Sequence, residues 1–417
     1  MKKKAKKKDK KFSFFKKKKS NRFLNVFKKK ETFNSLEVTI IILLSFIIGF
    51  VLALIFVFAK DRYLDKSDEP LNEIINTYNS ILEEYYDKVS PEDLSKAAVS
   101  GMVNSLDDPY SYYMDKETSD DFNESLEGTY EGIGLVITRY DQDVEVVKVV
   151  KNSPASKAGF KKGDILVKIN DTDIYDLTVN QIAEKIKNTD DINITYKRGE
   201  EEKTVSLKKE TLETQSVNDR VIDGNIGYIQ ITTFSSNASK QFGKSLKRLE
   251  KKGIKSLIID VRGNPGGHLE QADYILSHFF KKGTVLYKLE EKKGMTKVLD
   301  KTREYREYPV VILVSEYSAS ASEIVASAFQ EQYKKAKIVG LQTFGKGTIQ
   351  NEVLLKNGGS YKYTLKKWLT SKGVWYDRET TGGLKPDVEQ VLNDTSSNDS
   401  NIDSQLEKAK EILKEEM

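Results

Sequence analysis

The 417-residue chain contains no cysteine, two histidines and seven prolines. Without cysteine there are no disulfides, no thiolate metal sites and no lipid-modified cysteine anchor. Scarce proline together with 31% charged residues sets aside collagen-like and wholly disordered chains. The shortage of histidine has a sharper consequence. A serine hydroxyl is a weak nucleophile at its free pKa and is most often activated by a neighbouring histidine. Any serine chemistry here has to rely on His268 or His278, or take its base from another residue type.

Acidic residues are nearly missing from one end. Residues 1–36 hold sixteen Lys/Arg against Asp9 and Glu31, a local balance of +14, which leaves the remainder of this +5 chain at −9. A basic run of this kind can bind nucleic acid, but the segment after it decides for a membrane. From Val38 to Ala59 the chain carries 22 residues without a charge, enough to cross a hydrocarbon core of about 30 Å at about 1.5 Å per residue. The positive-inside rule places the lysine-rich tail in the cytoplasm and the chain after Lys60 outside. Residues 1–59 are therefore expected to engage membrane lipid, the tail through anionic headgroups. An apolar core this long favours an uncleaved anchor over a signal peptide, although "VFA" before Lys60 leaves cleavage after Ala59 open.

The rest divides by texture. We expect a basic cytoplasmic tail at 1–36, a transmembrane anchor at 38–59 and a helical region at 60–126, in which "SPED" from Ser90 provides an N-cap and a first-turn proline. From 127 to 210 short β-rich runs take over, interrupted by the helical "LTVNQIAEKIKN". This stretch resembles a PDZ domain, in which the backbone N–H groups of Gly132, Ile133, Gly134 and Leu135 would receive a peptide's terminal carboxylate and the following strand would pair with the peptide. From 211 to 392 strands and helices alternate. "SLIIDV" and "VVILVS" are continuous apolar runs of the kind that form buried parallel strands, an α/β arrangement whose strand-end loops carry chemistry. A Ser/Asn/Asp-rich linker and an amphipathic helix occupy 393–417.

Two of those loops hold candidate groups. "VSEYSASASEIVASAF" sets Ser318, Ser320 and Ser322 on alternate positions ahead of a helical pattern. Ser320 is expected at the helix start, where free N–H groups and the helix dipole favour a developing oxyanion; Ser318 and Ser322 also suit cap or turn roles. Both histidines fall in one expected helix, ten residues apart, a spacing that does not share a face. Lys346, in "GLQTFGKGTIQ", is the better base, because a desolvated lysine amine loses its proton more easily. Gly340-x-x-x-x-Gly345-Lys346 also fits most of a phosphate-binding loop. Gly347, however, stands where that motif needs a magnesium-binding hydroxyl, and strand-like sequence follows instead of a helix.

With "LDDPYSYYM", "RGNPGG", "SASASEIVASAFQ", "TFGKGTIQ" and "GLKPDVE" in this order, residues 71–392 resemble the C-terminal processing (tail-specific) serine peptidases, of the membrane-anchored, PDZ-containing bacterial type. The resemblance implies an α/β catalytic core of the crotonase/ClpP-like superhelical fold with an inserted PDZ domain. It implies Ser320 as nucleophile, Lys346 as base, Gln350 positioning the lysine, and an oxyanion hole from an N–H of Gly266 or Gly267 with that of Ala321. The expected activity is extracytoplasmic endopeptidase cleavage of proteins near their C-termini, with the PDZ domain reading the substrate's end and regulating the enzyme. No metal or cofactor is implied. Expected partners are protein or peptide C-termini, and a second copy if the helices at 71–105 and 405–415 dimerise; nucleic acid is not expected. The competing readings are a non-catalytic membrane-anchored PDZ scaffold, which has no use for a lysine between glycines, and acyl-thioester chemistry, which the export signal disfavours.

Overall fold

A computed structural model describes residues 34–64, 69–392 and 402–416, with side chains from 57 to 64 excepted. The lysine-rich tail through residue 33 and most of the linker after 392 lie outside the described residues.

Within the first 94 residues, the apolar helix Ser35–Leu64 starts three residues before the expected Val38. Reciprocal hydrogen bonds between Asn34 and Glu37 (2.9 and 3.1 Å) close a capping box that fixes this start. Its span Ser35–Phe56 is long and apolar enough to cross a bilayer, and none of it is buried. The helix Glu69–Glu84 follows. Ser90 then accepts from the Asp93 N–H at 3.2 Å and opens the helix Pro91–Asn104, as "SPED" predicts.

The larger unit begins at Ser95. Strand β1 (Tyr112–Met114) and the helix Lys116–Glu127 lead into a β-rich module. Its strands are β2 (Thr129–Gly132), β3 (Leu135–Tyr140), β4 (Asp143–Val149), β5 (Ile165–Ile169), β6 (Thr172–Asp173), β7 (Asp191–Arg198), β8 (Glu201–Lys208) and β9 (Glu210–Glu213). Antiparallel pairing runs β3-β4-β5-β7-β8, with β6 attached to β5, so β3 is an edge strand. The module has its own core, including Val144, Val146, Phe160, Ile169, Ile182, Ile192 and Ile194. The helix Val179–Lys187, opened by a Thr178/Gln181 capping box, lies beside β3. Entry strand β2 and exit strand β9 pair with each other, Thr129 opposite Glu213, so the module is tied at both ends.

The body contains β10 (Val217–Ile222), β11 (Ile226–Ile231), β12 (Ser256–Asp260), β13 (Val285–Glu291), β14 (Gly294–Leu299), β15 (Val310–Val314), β16 (Ala336–Gly340), β17 (Thr348–Leu354), β18 (Ser360–Thr370) and β19 (Val388–Glu389). One sheet runs β10-β11-β12-β15-β16-β19, parallel from β11 onward. Every residue of β12 and β15 is buried, which explains their continuous apolar sequence: both sheet faces are covered. The helices Ala238–Lys251, Leu269–Leu276 and Ala321–Gln332 pack on one face through Phe242, Leu246, Ile275, Ile324, Val325 and Phe329. The helix Ser404–Glu416 covers the other, setting Ala409 and Leu413 against Tyr228, Ile258, Val311, Leu313 and Val339. Full burial of a leucine-sized side chain contributes about 1.5–3 kcal/mol, so this closing helix is part of the domain. A second sheet, β1-β18-β13-β14 with β17 on β18, completes the body.

The histidines differ from expectation. The helix stops at Leu276 and holds neither: His268 is its N-cap, and His278 lies beyond its C-cap Ser277. The apolar pattern continues, but the carbonyls of Ser277 and His278 accept from the Thr302 hydroxyl (2.8 Å) and Arg306 (2.6 Å), which turns the chain out of the helix.

Candidate active site

Three loops at the C-terminal ends of the neighbouring parallel strands β12, β15 and β16 supply the site, the position where open α/β sheets place their ligands. They bring Ser320, Lys346, Gly266 and Gly267 to the wall of one cleft of about 530 Å³, which Gln350 on β17 also lines.

The three alternate serines are not equivalent. The Ser318 hydroxyl is fully buried, donating to the Val261 carbonyl (2.8 Å) and accepting from the Ser315 N–H (2.9 Å). That of Ser322, also fully buried, donates to the Asn264 carbonyl at 2.9 Å. Ser318 thus ties the loop after β15 to the end of β12, and Ser322 ties the start of the following helix to the "NPGG" turn. Ser320 alone of the three lines the cleft, with φ 55° and ψ −114°. That conformation is strained for a non-glycine residue, at a cost of about 1–3 kcal/mol, and it persists because neighbours over-determine it.

Glu323, one turn into the helix, is the main neighbour. Its fully buried carboxylate accepts from the N–H groups of Ser320 (2.8 Å), Gly345 (2.7 Å) and Lys346 (2.9 Å) and from the Thr343 hydroxyl (2.6 Å). Burial pushes this carboxyl up, and the four donors oppose that by favouring the ionised form. One side chain thus joins the serine turn to the lysine loop. The Ser-x-x-Glu spacing of a capping box was the available signal for it.

The lysine loop is also clamped from outside. A Cβ at Gly347 would lie 2.0 Å from the Tyr376 carbonyl, and one at Gly345 would meet the Arg378 backbone at 3.0 Å. Both glycines flanking Lys346 are therefore required by the segment folded over them. The Trp368 indole donates to the Lys346 carbonyl at 2.8 Å. The ammonium lies 5.1 Å from the Tyr110 ring centre. Burial, then the like charge of Lys362, lower the Lys346 pKa to about 8, against the pull of Glu323 and Asp108. β17 follows this loop, so the phosphate-loop alternative lacks its helix.

Gln350 donates to the Thr348 and Thr364 hydroxyls (2.9 and 3.1 Å), and Thr364 in turn donates to Asp108 at 2.6 Å. Asp108 belongs to "LDDPYSYYM", so that motif reaches the site through a hydrogen-bond chain. In the "NPGG" turn, Asn264 is fully buried; its amide donates to the Ile231 carbonyl (2.8 Å) and its oxygen accepts from the Gly266 N–H (2.9 Å). Gly266 (φ 105°) touches the serine turn so closely that a Cβ would lie 2.9 Å from the Ser320 Cβ. His268 lines the cleft, whereas His278 pairs with Glu304 at 3.1 Å and stacks on Phe242.

In the β-rich module, Gly132 ends β2 opposite Glu210, and Leu135 opens β3. The buried Ile133 and Gly134 accept from the Ala155 and Val150 N–H groups, both at 2.9 Å. Gly134 has φ 82°, and a Cβ there would lie 2.2 Å from that of Ser153.

Comparison with known proteins identifies the family. The model for peptidase family S41 matches residues 225–390, that for a PDZ domain 131–208, and that for the activating protease CtpB N-terminal domain 57–118. Over 331 residues the chain is 36% identical to the carboxy-terminal processing protease CtpA of Bacillus subtilis (strain 168), covering 78% of this chain and 70% of that protein. The chain belongs to peptidase family S41. This S41 peptidase, a serine-type enzyme of the C-terminal processing family, is also 37% identical over 344 residues to a probable CtpA-like serine protease of Staphylococcus aureus (strain N315), with coverages of 81% and 68%. Among solved structures it is similar to the photosystem II D1 C-terminal processing protease at 23% identity, with a TM-score of 0.46 over 80% of this chain and 90% of that one.

Proposed function

We propose that this S41 peptidase is a membrane-anchored, extracytoplasmic endopeptidase that cuts proteins near their C-termini with a Ser320–Lys346 dyad. The observation that carries the dyad is the contrast among the serines: two hydroxyls are bonded into the scaffold, and only Ser320 shares a cleft with a lysine pushed down to about pKa 8. Neutral Lys346 takes the Ser320 proton as the hydroxyl oxygen attacks the scissile carbonyl, and the resulting ammonium returns it to the leaving amine. The Gly266 N–H is engaged by Asn264, so Gly267 and Ala321 are the donors left for the oxyanion. Gln350 lines the same cleft as Lys346 and is bonded into the Thr364–Asp108 chain, whose Asp108 charge acts on the lysine, which supports a positioning role for it. A non-catalytic scaffold gains nothing from a desolvated lysine.

The PDZ role rests on β3 being the edge strand of its sheet, beside the helix Val179–Lys187: a bound peptide would add to that edge with its carboxylate toward Gly132–Leu135. The same helix ends in Lys187, 2.9 Å from Asp121 and 3.7 Å from Glu124 on the helix Lys116–Glu127. Phe122, Ser125 and Leu126 of that helix line the catalytic cleft, so peptide binding has a short route to the site. Membrane anchoring rests on the apolar helix, and its orientation on the lysine-rich tail before it.

In cleavage assays, Ser320→Ala and Lys346→Ala each abolish turnover, while His278→Ala retains it. Turnover by Lys346→Ala rejects the dyad.

A further inference from the structure

Lys362, on β18, is a second lysine in the catalytic cleft and is only 8% exposed. No sequence motif singles it out. Its ammonium sits between two aromatic faces, 4.1 Å from the ring centre of Tyr112 on β1 and 4.6 Å from that of Phe122 on the helix Lys116–Glu127. Among the described residues neither Lys346 nor Lys362 stands in an ion pair. Glu352, opposite Lys362 on β17, turns its carboxylate to Ser360 (2.6 Å) and Asn123 (3.3 Å).

This environment differs from a salt bridge in one respect that matters. A carboxylate partner would hold Lys362 charged but cancel its field at a distance. Aromatic faces attract the cation through their quadrupoles and carry no net charge, so they leave its field in place. We propose that Lys362 is a positioning residue for the base: its positive charge, held between two aromatic faces in the same cleft, favours the neutral form of Lys346. The proposal rests on Lys346 being the general base.

The surrounding charges set the balance. Toward Lys346 face Glu323 from the helix Ala321–Gln332 and Asp108 from the loop before β1, both favouring the ammonium. Tyr110 faces it from the same loop, and Asp377 lies opposite on the covering segment, beside Arg378. Toward Lys362 face Glu352, Tyr112 and Phe122, and His268 lines the shared wall. Two negative groups act on Lys346, and Lys362 is the cation that offsets them. Burial also lowers the Lys362 pKa, against the pull of Glu352.

The test is the pH profile of kcat/KM for wild type, Lys362→Met and Lys362→Arg, with melting temperatures confirming that each is folded. Removing a like charge raises the partner's pKa, so the acidic limb of Lys362→Met moves up by roughly half to one pH unit. At pH 7 that variant is about threefold to tenfold slower, and it recovers toward wild type at high pH. Lys362→Arg keeps the charge and the wild-type limb. A limb that stays in place in Lys362→Met, or loss of rate equal at every pH, overturns the proposal while leaving the dyad intact. Turnover by Lys346→Ala would instead remove the dyad on which it rests.

Discussion

The carboxylate of Glu323 offers the most discriminating perturbation, because it touches both halves of the proposed dyad through their main chains. One oxygen accepts from Ser320 and Lys346 N–H groups and the other from Thr343 and Gly345. In Glu323→Gln one oxygen becomes an NH2 group, which confronts two N–H donors or a hydroxyl and an N–H. Two charge-assisted hydrogen bonds are lost, each about 1.5–3 kcal/mol. Relief from burying a charge offsets part of this, which leaves about 3–4 kcal/mol against the arrangement. If that loss falls on the placement of Ser320 and Lys346, kcat drops by about 10²–10³-fold.

The pH limb should move the opposite way to what a simple loss of function suggests. The negative charge of Glu323 favours the protonated lysine, so its removal lowers the Lys346 pKa and shifts the limb toward acid. The assay is a kcat/KM profile of Glu323→Gln and Glu323→Asp on one peptide substrate, with thermal denaturation in parallel. Wild-type kcat at high pH with an unmoved limb in Glu323→Gln would refute both the positioning and the electrostatic argument.

For the wild type, only neutral Lys346 accepts the serine proton; with a pKa of about 8, kcat/KM rises about tenfold from pH 7 to pH 9 when chemistry limits the rate. Lys346→Arg is inactive throughout, and a profile flat from pH 6 to pH 10 contradicts the assignment. Ser322→Ala loses one buried hydrogen bond and about 1 kcal/mol of stability in denaturant titration, with activity kept; loss of turnover with unchanged stability would reopen the choice of serine. Peptides with free apolar C-termini accelerate cleavage of a second substrate and their amidated forms do not, and equal activation would reduce the PDZ domain to a tether. Gly134→Ala removes the activation, since its Cβ collides with Ser153.

The parallel strands were legible because burial on both faces writes itself as an unbroken apolar run, as in Val310–Val314. Ser320 and Lys346 were legible as motifs, but which serine faced the cleft depended on hydrogen bonds between loops 57 and 58 residues apart in sequence. Lys362 was not legible. In "SYKYTLKKW" it alternates with apolar residues like a solvent-facing lysine, and the pairing of β1 with β18, together with the helix Lys116–Glu127, buries it. The helix end at Leu276 was missed for a similar reason: the carbonyls of Ser277 and His278, just past it, are taken by Thr302 and Arg306, which no local pattern announces.

A serine peptidase that uses lysine faces two opposed requirements. The amine has to be held near the hydroxyl, and the natural holder, a carboxylate bonded to it, would raise its pKa and keep it charged. With Lys346 as the proposed base, the two tasks fall on different atoms. Glu323 grips Lys346 by its backbone N–H, Trp368 grips its carbonyl, and the segment over Gly345 and Gly347 fixes the loop's path. The side chain is then left to a buried cleft wall, an aromatic ring and a second cation. Position comes from the main chain and the lowered pKa from the surroundings of the side chain. This explains why two glycines, a capping glutamate and an aromatic cover accompany the lysine, and why arginine, which no burial of this extent deprotonates, cannot replace it.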